Sequence, residues 1–322
     1  MNQEQNEPKK LSYKDATGEI KYTLRSDIVF HYALQKSEKA LLGLVCALRG
    51  IKTETVKSIK VENPIDLNNI GKETVMDLKL TLNSGVIMNI ELQMYMDNLW
   101  GQRSILYVCR AFDCIKEGDD YSKLKETVLY CITDQDLILG AEQEFYAGYK
   151  LLNVKNHKPY SDMIGINVLN LKYIDLATQE DIDDGLVYWA KLFLADTWEE
   201  LQSLIGDHVD IEEVADLILE LNTDNQAKEI LEGQRKYREQ LATQYAVGRM
   251  DEREACKEEI EKLQDEVDKK DAELDTANAT ISDLNATITS KDGTIKEKDI
   301  EITDLQALVA TLKAENEELK NK

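Results

Sequence analysis

Asp77, Glu91 and Gln93 stand in the spacing D-x13-E-x-Q within the stretch Thr74–Gln102. That stretch alternates apolar and polar residues as strands do, because successive strand side chains point to opposite faces. Met76, Leu78, Leu80 and Leu82 share one face, with Val75, Asp77, Lys79 and Thr81 on the other. After Asn83-Ser84-Gly85, Met88, Ile90, Leu92 and Met94 share a face opposite Ile87, Asn89, Glu91 and Gln93. A short Asn- and Gly-bearing loop between alternating runs predicts a hairpin of Thr74–Leu82 and Val86–Met94. With that loop, Leu80 faces Met88 and Asp77 faces Glu91; a bulge would slip the register by one residue. Directly opposed residues lie only ~5 Å apart, and like charges there repel. A positive group between the two carboxylates resolves this. A hard divalent cation such as Mg²⁺, which takes carboxylate oxygens and keeps several waters, is one candidate; Lys79 on the same face is another.

The elements that must position these residues follow from the rest of the chain. Ser26 or Asp27 caps a predicted helix through Ile28–Arg49, ended by Gly50. Thr53–Glu62 alternates as a first strand, and Pro64–Gly71 reads as a loop. Trp100-Gly101 opens a helix over Gln102 to about Lys116, with Ile105, Leu106, Val108, Cys109, Phe112 and Ile115 as its apolar stripe. Arg103 and Tyr107, four apart, share one face of it. Gly118-Asp119-Asp120 is a turn. Val128–Thr133 and Met163–Leu169 are continuous apolar runs typical of buried neighbouring strands. Tyr173–Leu221 turns helical and acidic, with Trp189, Leu192, Phe193 and Trp198 as its core face.

The chain has 39 Lys+Arg against 62 Asp+Glu, a formal charge of −23. From Asp251 onward 11 basic and 21 acidic residues give −10, which leaves −13 for the remainder. Neither part is basic, so composition alone does not promote a nucleic-acid-coating protein. Five scattered cysteines without CxxC spacing fit reduced thiols and a cytoplasmic location. The polar start, Met1–Leu11, reads as disordered and lacks the apolar core of a signal peptide. No run is long enough to cross a membrane.

Asn222–Met250 reads as a polar connecting helix, and after it the heptad pattern is the strongest in the chain. Ile260, Val267, Leu274, Ile281, Ile288, Ile295, Ile302, Val309 and Asn316 occupy a. Leu263, Lys270, Ala277, Leu284, Lys291, Lys298, Leu305, Leu312 and Leu319 occupy d. This predicts a coiled coil over 251–322, a rod of roughly 100 Å. β-Branched a sites with Leu at several d sites favour a parallel homodimer, and the d lysines weaken its middle. A long unpaired helix is the alternative.

Asp77 on one strand and Glu91-Leu92-Gln93 on the next resemble the PD-(D/E)XK nuclease core, in the variant with Gln in place of Lys. Ser26-Asp27-Ile28-Val29-Phe30, Asn89–Gln93, Arg103 with Tyr107, Gly118–Tyr121 and Ala246…Gly248 are similar to the recombination-promoting nuclease family, also called PD-(D/E)XK family transposases. The resemblance covers roughly Leu24 to Met250. It implies an α/β fold, a restriction-endonuclease-like core with a central mixed sheet flanked by helices. A helical region and the coiled coil would follow. The domains expected are a polar segment 1–23, a nuclease-like domain 24–221, a connecting helix 222–250 and the coiled coil. It further implies Mg²⁺-dependent cleavage of DNA and a role in recombination or transposition. Asp77 and Glu91 would hold the metal, Gln93 would orient the attacking water, and Arg103 with Tyr107 would assist. Asp27 is a weaker supporting acid. The rival readings are a catalytically inactive scaffold acting through its coiled coil, and an enzyme acting on RNA or a small phosphate ester.

Overall fold

The computed structural model describes residues 12–65, 78–138, 140–206 and 211–320. The chain divides into two units, Met1–Arg238 and Glu239–Lys322.

The first unit is built on six strands: β1 Ile59–Val61, β2 Leu78–Leu82, β3 Ile87–Gln93, β4 Thr127–Thr133, β5 Tyr146–Leu152 and β6 Pro159–Asn170. Their order is β1-β2-β3-β4-β6-β5. β3–β4 and β4–β6 are parallel and the other pairs antiparallel, so the sheet is mixed, as expected. The hairpin register is also as expected: Leu80 pairs with Met88 and Leu78 with Ile90. Its loop closes with the Leu82 amide donating to Val86 O at 3.0 Å and the Gly85 amide donating to Leu82 O at 2.8 Å. Gly85 sits at φ +85°, where a side chain is strained.

Around the sheet lie α1 Asp27–Lys36, α2 Glu38–Arg49, α3 Trp100–Phe112, α4 Gln179–Asp183, α5 Leu186–Leu194, α6 Trp198–Ile205 and α7 Glu212–Thr223; the long α8, Asn225–Lys320, begins in this unit and makes up the described part of the second. The α3 side carries a smaller core of Trp100, Val108, Leu129, Cys131, Leu137 and Val168. The opposite side carries the larger one, where Leu78, Leu80, Met88 and Ile90 meet Phe30, Leu44, Trp189 and Phe193. Every residue of β4 is buried. Its continuous apolar run follows from having both faces covered.

Several sequence expectations are corrected. The single helix expected over Ile28–Arg49 is two, broken at Ser37, whose hydroxyl accepts from the Ala40 amide and caps α2. Gly50 ends α2 at φ +60°, as expected. Thr53–Glu62 is a 3-10 turn over Thr53–Thr55 followed by strand only at Ile59–Val61. The stripe expected on α3 is rotated. Trp100, Ser104 and Val108 face the sheet, whereas Ile105, Leu106 and Cys109 are exposed. The small Ser104 lies between Trp100 and Val108, one turn from each, so a large ring and a short side chain share the contact. β5 was not foreseen; it is a mostly exposed edge strand without a strong alternating pattern. The expected Tyr173–Leu221 region is helical, and Trp189, Leu192, Phe193 and Trp198 are buried as anticipated.

In the second unit α8 continues without interruption, and every described side chain from Glu239 to Glu317 is exposed. Its threonines satisfy themselves locally: Thr276, Thr280, Thr287 and Thr303, for example, donate to the carbonyl four residues back. Met1–Leu11, Asp77 and Pro64–Gly71 beyond Ile65 lie outside the described residues.

Candidate active site

Alternation along β3 sends Ile87, Asn89, Glu91 and Gln93 to the side covered by α3. Glu91 is only 6% exposed. An ionised carboxylate so far from water costs several kcal/mol unless a partner meets it. That partner is Arg103, in the first turn of α3, whose Nη2 lies 2.9 Å from Glu91 Oε1. The same Nη2 donates to Gln93 Oε1, and Nη1 sits 2.9 Å from Asp97 Oδ2. One guanidinium thus gathers oxygens from three residues. Its planar fork suits this better than an ammonium would.

The guanidinium is also held by rings. Its centre lies 5.4 Å from the Trp100 ring and 5.7 Å from the Tyr107 ring. The i, i+4 spacing of Arg103 and Tyr107 therefore appears as a physical contact, worth about 0.5–1 kcal/mol at a half-exposed site. Gln93 is fixed in side chain and backbone: its Nε2 donates to Tyr95 O at 2.6 Å, and its main-chain carbonyl accepts from Thr133 Oγ1 at 2.6 Å. Asp97 turns the chain into α3, accepting the Leu99 amide at Oδ1, 2.9 Å away.

Of the residues expected from sequence, Glu91, Gln93, Arg103 and Tyr107 come together in one cluster. Asp77 lies outside the described residues, but its chain neighbour Leu78 is paired with Ile90. Asp27 opens α1, next to Ser26, which lines a cavity of about 320 Å³ with Met94, Tyr95 and Asp134 past the end of β3. Asp97 was missed by sequence reading. Its only signal was an acidic residue three positions before the helix-opening Trp100. His31 is fully buried in α1. Tyr130, on the neighbouring strand but facing the larger core, has its hydroxyl pushed up to about 12, chiefly by burial. It therefore stays a phenol near neutral pH and is no candidate base.

Among the described residues no three His, Cys, Asp or Glu side chains gather as a metal cluster. Mg²⁺ does not need three, since it is commonly held by one or two carboxylates and waters. The oxygens that here meet the Arg103 guanidinium, Glu91 Oε1, Gln93 Oε1 and Asp97 Oδ2, are the kind of donor a metal could share in its place. That donor set fits a hard divalent ion.

The site thus consists of a buried carboxylate and an amide two residues apart on a central strand of a mixed sheet. The model of the PD-(D/E)XK nuclease family transposase matches residues 24–246 of this chain, and the chain belongs to that family. No curated protein and no solved structure matches it. Membership points to a nuclease or transposase-like function acting on DNA, in a superfamily that generally uses divalent metals. Among the described residues no helix is long and apolar enough to cross a membrane.

Proposed function

We propose that this protein is a cytoplasmic, Mg²⁺-dependent DNA endonuclease of the recombination-promoting or transposase-like kind. The observation that carries the reading is Glu91: a carboxylate kept almost wholly from water, two residues from an anchored amide and against a ring-flanked guanidinium. Asp77 and Glu91 would hold the metal, as the hairpin expected from the sequence sets the two acids opposite one another. Bound there, Mg²⁺ supplies a more acidic water and charge stabilisation at the phosphate. Gln93 orients the attacking water; being uncharged, it positions without adding positive charge. Arg103, whose guanidinium holds Glu91, Gln93 and Asp97, would meet a non-bridging phosphate oxygen by exchanging one of these partners as charge develops. Tyr107 holds that guanidinium in place.

The coiled coil over 251–322 would join two such chains as a homodimer. The support is the heptad seam, with Ile260, Val267, Ile281 and Ile288 all half or more exposed in the single chain. That same seam is what favours the second reading, a nuclease-fold scaffold acting through its coiled coil.

Supercoiled plasmid separates the two. The intact protein should nick it with Mg²⁺ and not in EDTA. Asp77→Ala and Glu91→Ala should each lower the rate about a thousand-fold or more. Equal background from all three proteins would leave the scaffold, and cleavage of RNA alone would redirect the substrate.

A further inference from the structure

Beside the Glu91 cluster, between the β2–β3 hairpin and α3, lies a groove of about 460 Å³. Its walls are mainly apolar, with Ile87 on one side and Tyr107 and Ala111 on the other. Lys79 and Arg110, both exposed, stand at its rim. Glu62 also reaches it, but that carboxylate is held by Lys60 Nζ at 2.6 Å. Asn89 lines the groove, is only 6% exposed, and among the described residues its Oδ1 has no hydrogen-bond partner. Buried polar atoms are nearly always paired, so an orphan acceptor in a groove calls for an incoming donor.

We propose that this groove holds the nucleotide adjoining the bond to be cut, unpaired from its complement. Asn89 would receive a base N–H, and Lys79 and Arg110 would hold the flanking phosphate. The inference rests on the nuclease reading above and names the substrate group next to the same site.

The geometry relates the two places. Asn89 and Glu91 share a face of β3 two residues apart, about 7 Å along the strand. Arg103, Tyr107 and Arg110 follow one face of α3 at i, i+4 and i+7, so the two arginines are about 10 Å apart along the helix. Arg103 meets Glu91 and Arg110 reaches the groove of Asn89, so cations and strand residues are matched in order. Tyr107 belongs to both places, facing Arg103 at 5.7 Å and lining the groove. Apolar walls with one buried acceptor among them and cations at the rim suit a flat base bearing an N–H edge and a phosphate. A base whose edge is inside a duplex cannot bring it to a buried acceptor, so the nucleotide must be single-stranded or turned out.

The test uses the full chain in Ca²⁺ or EDTA, where cutting is avoided, and a short fluorescent single-stranded DNA read by anisotropy. Asn89→Leu removes the orphan acceptor while filling similar space. It should weaken oligonucleotide binding about ten-fold while leaving the melting temperature unchanged or raised. A merely structural asparagine would instead lower the melting temperature and leave the affinity alone. Lys79→Gln and Arg110→Gln should each reduce the slope of log affinity against log salt by about one. They supply an independent arm if the Asn89 variant folds poorly. If the unaltered protein nicks plasmid and binds the oligonucleotide, and all three variants bind as it does, the groove assignment is overturned while the nuclease reading stands. If the unaltered protein neither binds nor nicks, both fall.

Discussion

The two units treat their apolar residues in opposite ways. In the first, Leu78, Leu80, Met88 and Ile90 are fully buried by elements of the same chain. In the second, Ile260, Leu274, Ile281, Leu284, Ile288 and Ile295 are each more than half exposed. Fully burying one such side chain contributes about 1.5–3 kcal/mol, so the first unit has already used its driving force and the second has not. A 3.6-residue pattern inside a mixed fold is satisfied by a sheet. A seven-residue pattern held over nine heptads asks for another helix. The lesson is that periodicity tells where a side chain seeks a partner, and the surrounding chain decides whether the partner is already present.

Trp100→Ala should produce the largest stability change, because it tests the self-satisfied unit at its smaller core. Trp100 is 1% exposed and packs with Val108, Leu129, Cys131 and Val168. Its removal should cost about 3–5 kcal/mol in urea unfolding of the first unit. It should also loosen Arg103, which loses one of its two flanking rings. A loss below about 1 kcal/mol would mean that α3 is not anchored through this ring.

The corresponding insult to the second unit is Ile281→Asn, at a central a position. In the proposed dimer it should weaken association by about 2–4 kcal/mol, seen as a shift to the lighter species in sedimentation at low concentration. The first unit's urea midpoint should not move. Truncation after Met250 should give the lighter species outright. If Ile281→Asn leaves sedimentation unchanged, the seam is not paired in solution and the contrast between the units disappears.

How much of this was legible depended on what each pattern was competing with. The hairpin register was readable because Leu78, Leu80, Met88 and Ile90 alternate strictly and Asn83-Ser84-Gly85 is a short turn, so a one-residue slip would expose a whole face. Alternation set Glu91 and Gln93 on one strand face and helical spacing set Arg103 beside Tyr107, but that the two pairs belong to one site was implied only by the family resemblance. The phase of α3 was not. Ile105 and Leu106 outweigh Ser104 on any hydrophobic count, yet Ser104 faces the sheet because large Trp100 and small Ser104 together fill the contact. The break at Ser37 was not legible, because Gln35-Lys36-Ser37-Glu38-Lys39 passes equally well for the polar face of one continuous helix. Asp97 lay in a loop, where no period marks it, and it meets Arg103, six residues on, only through the turn that opens α3.

The smallest and most discriminating effect concerns the lysines at d. Lys270, Lys291 and Lys298 are each followed directly by aspartate, Asp271, Asp292 and Asp299, at e. In a parallel pair the d layer is flanked by the partner's e position, so each lysine would find an opposite charge across the seam. In an antiparallel pair d meets a, and the lysines face apolar residues such as Ile281 and Ile288. Within the single chain Lys298 already has a local partner, Glu301, at 2.7 Å. Exposed pairs of this kind are worth only about 0.2–1 kcal/mol, so they select an arrangement more than they stabilise it. Lys291→Leu should therefore raise the melting temperature of the rod slightly, by about 1 kcal/mol in stability, because a leucine fills the seam better. Asp292→Lys should lower it by a similar amount in a parallel dimer, through repulsion across the layer. Helices joined by a disulfide placed at their C-terminal ends would report the direction independently. If Asp292→Lys is silent while Ile281→Asn dissociates the dimer, the helices pair antiparallel and the lysine–aspartate layers do not form.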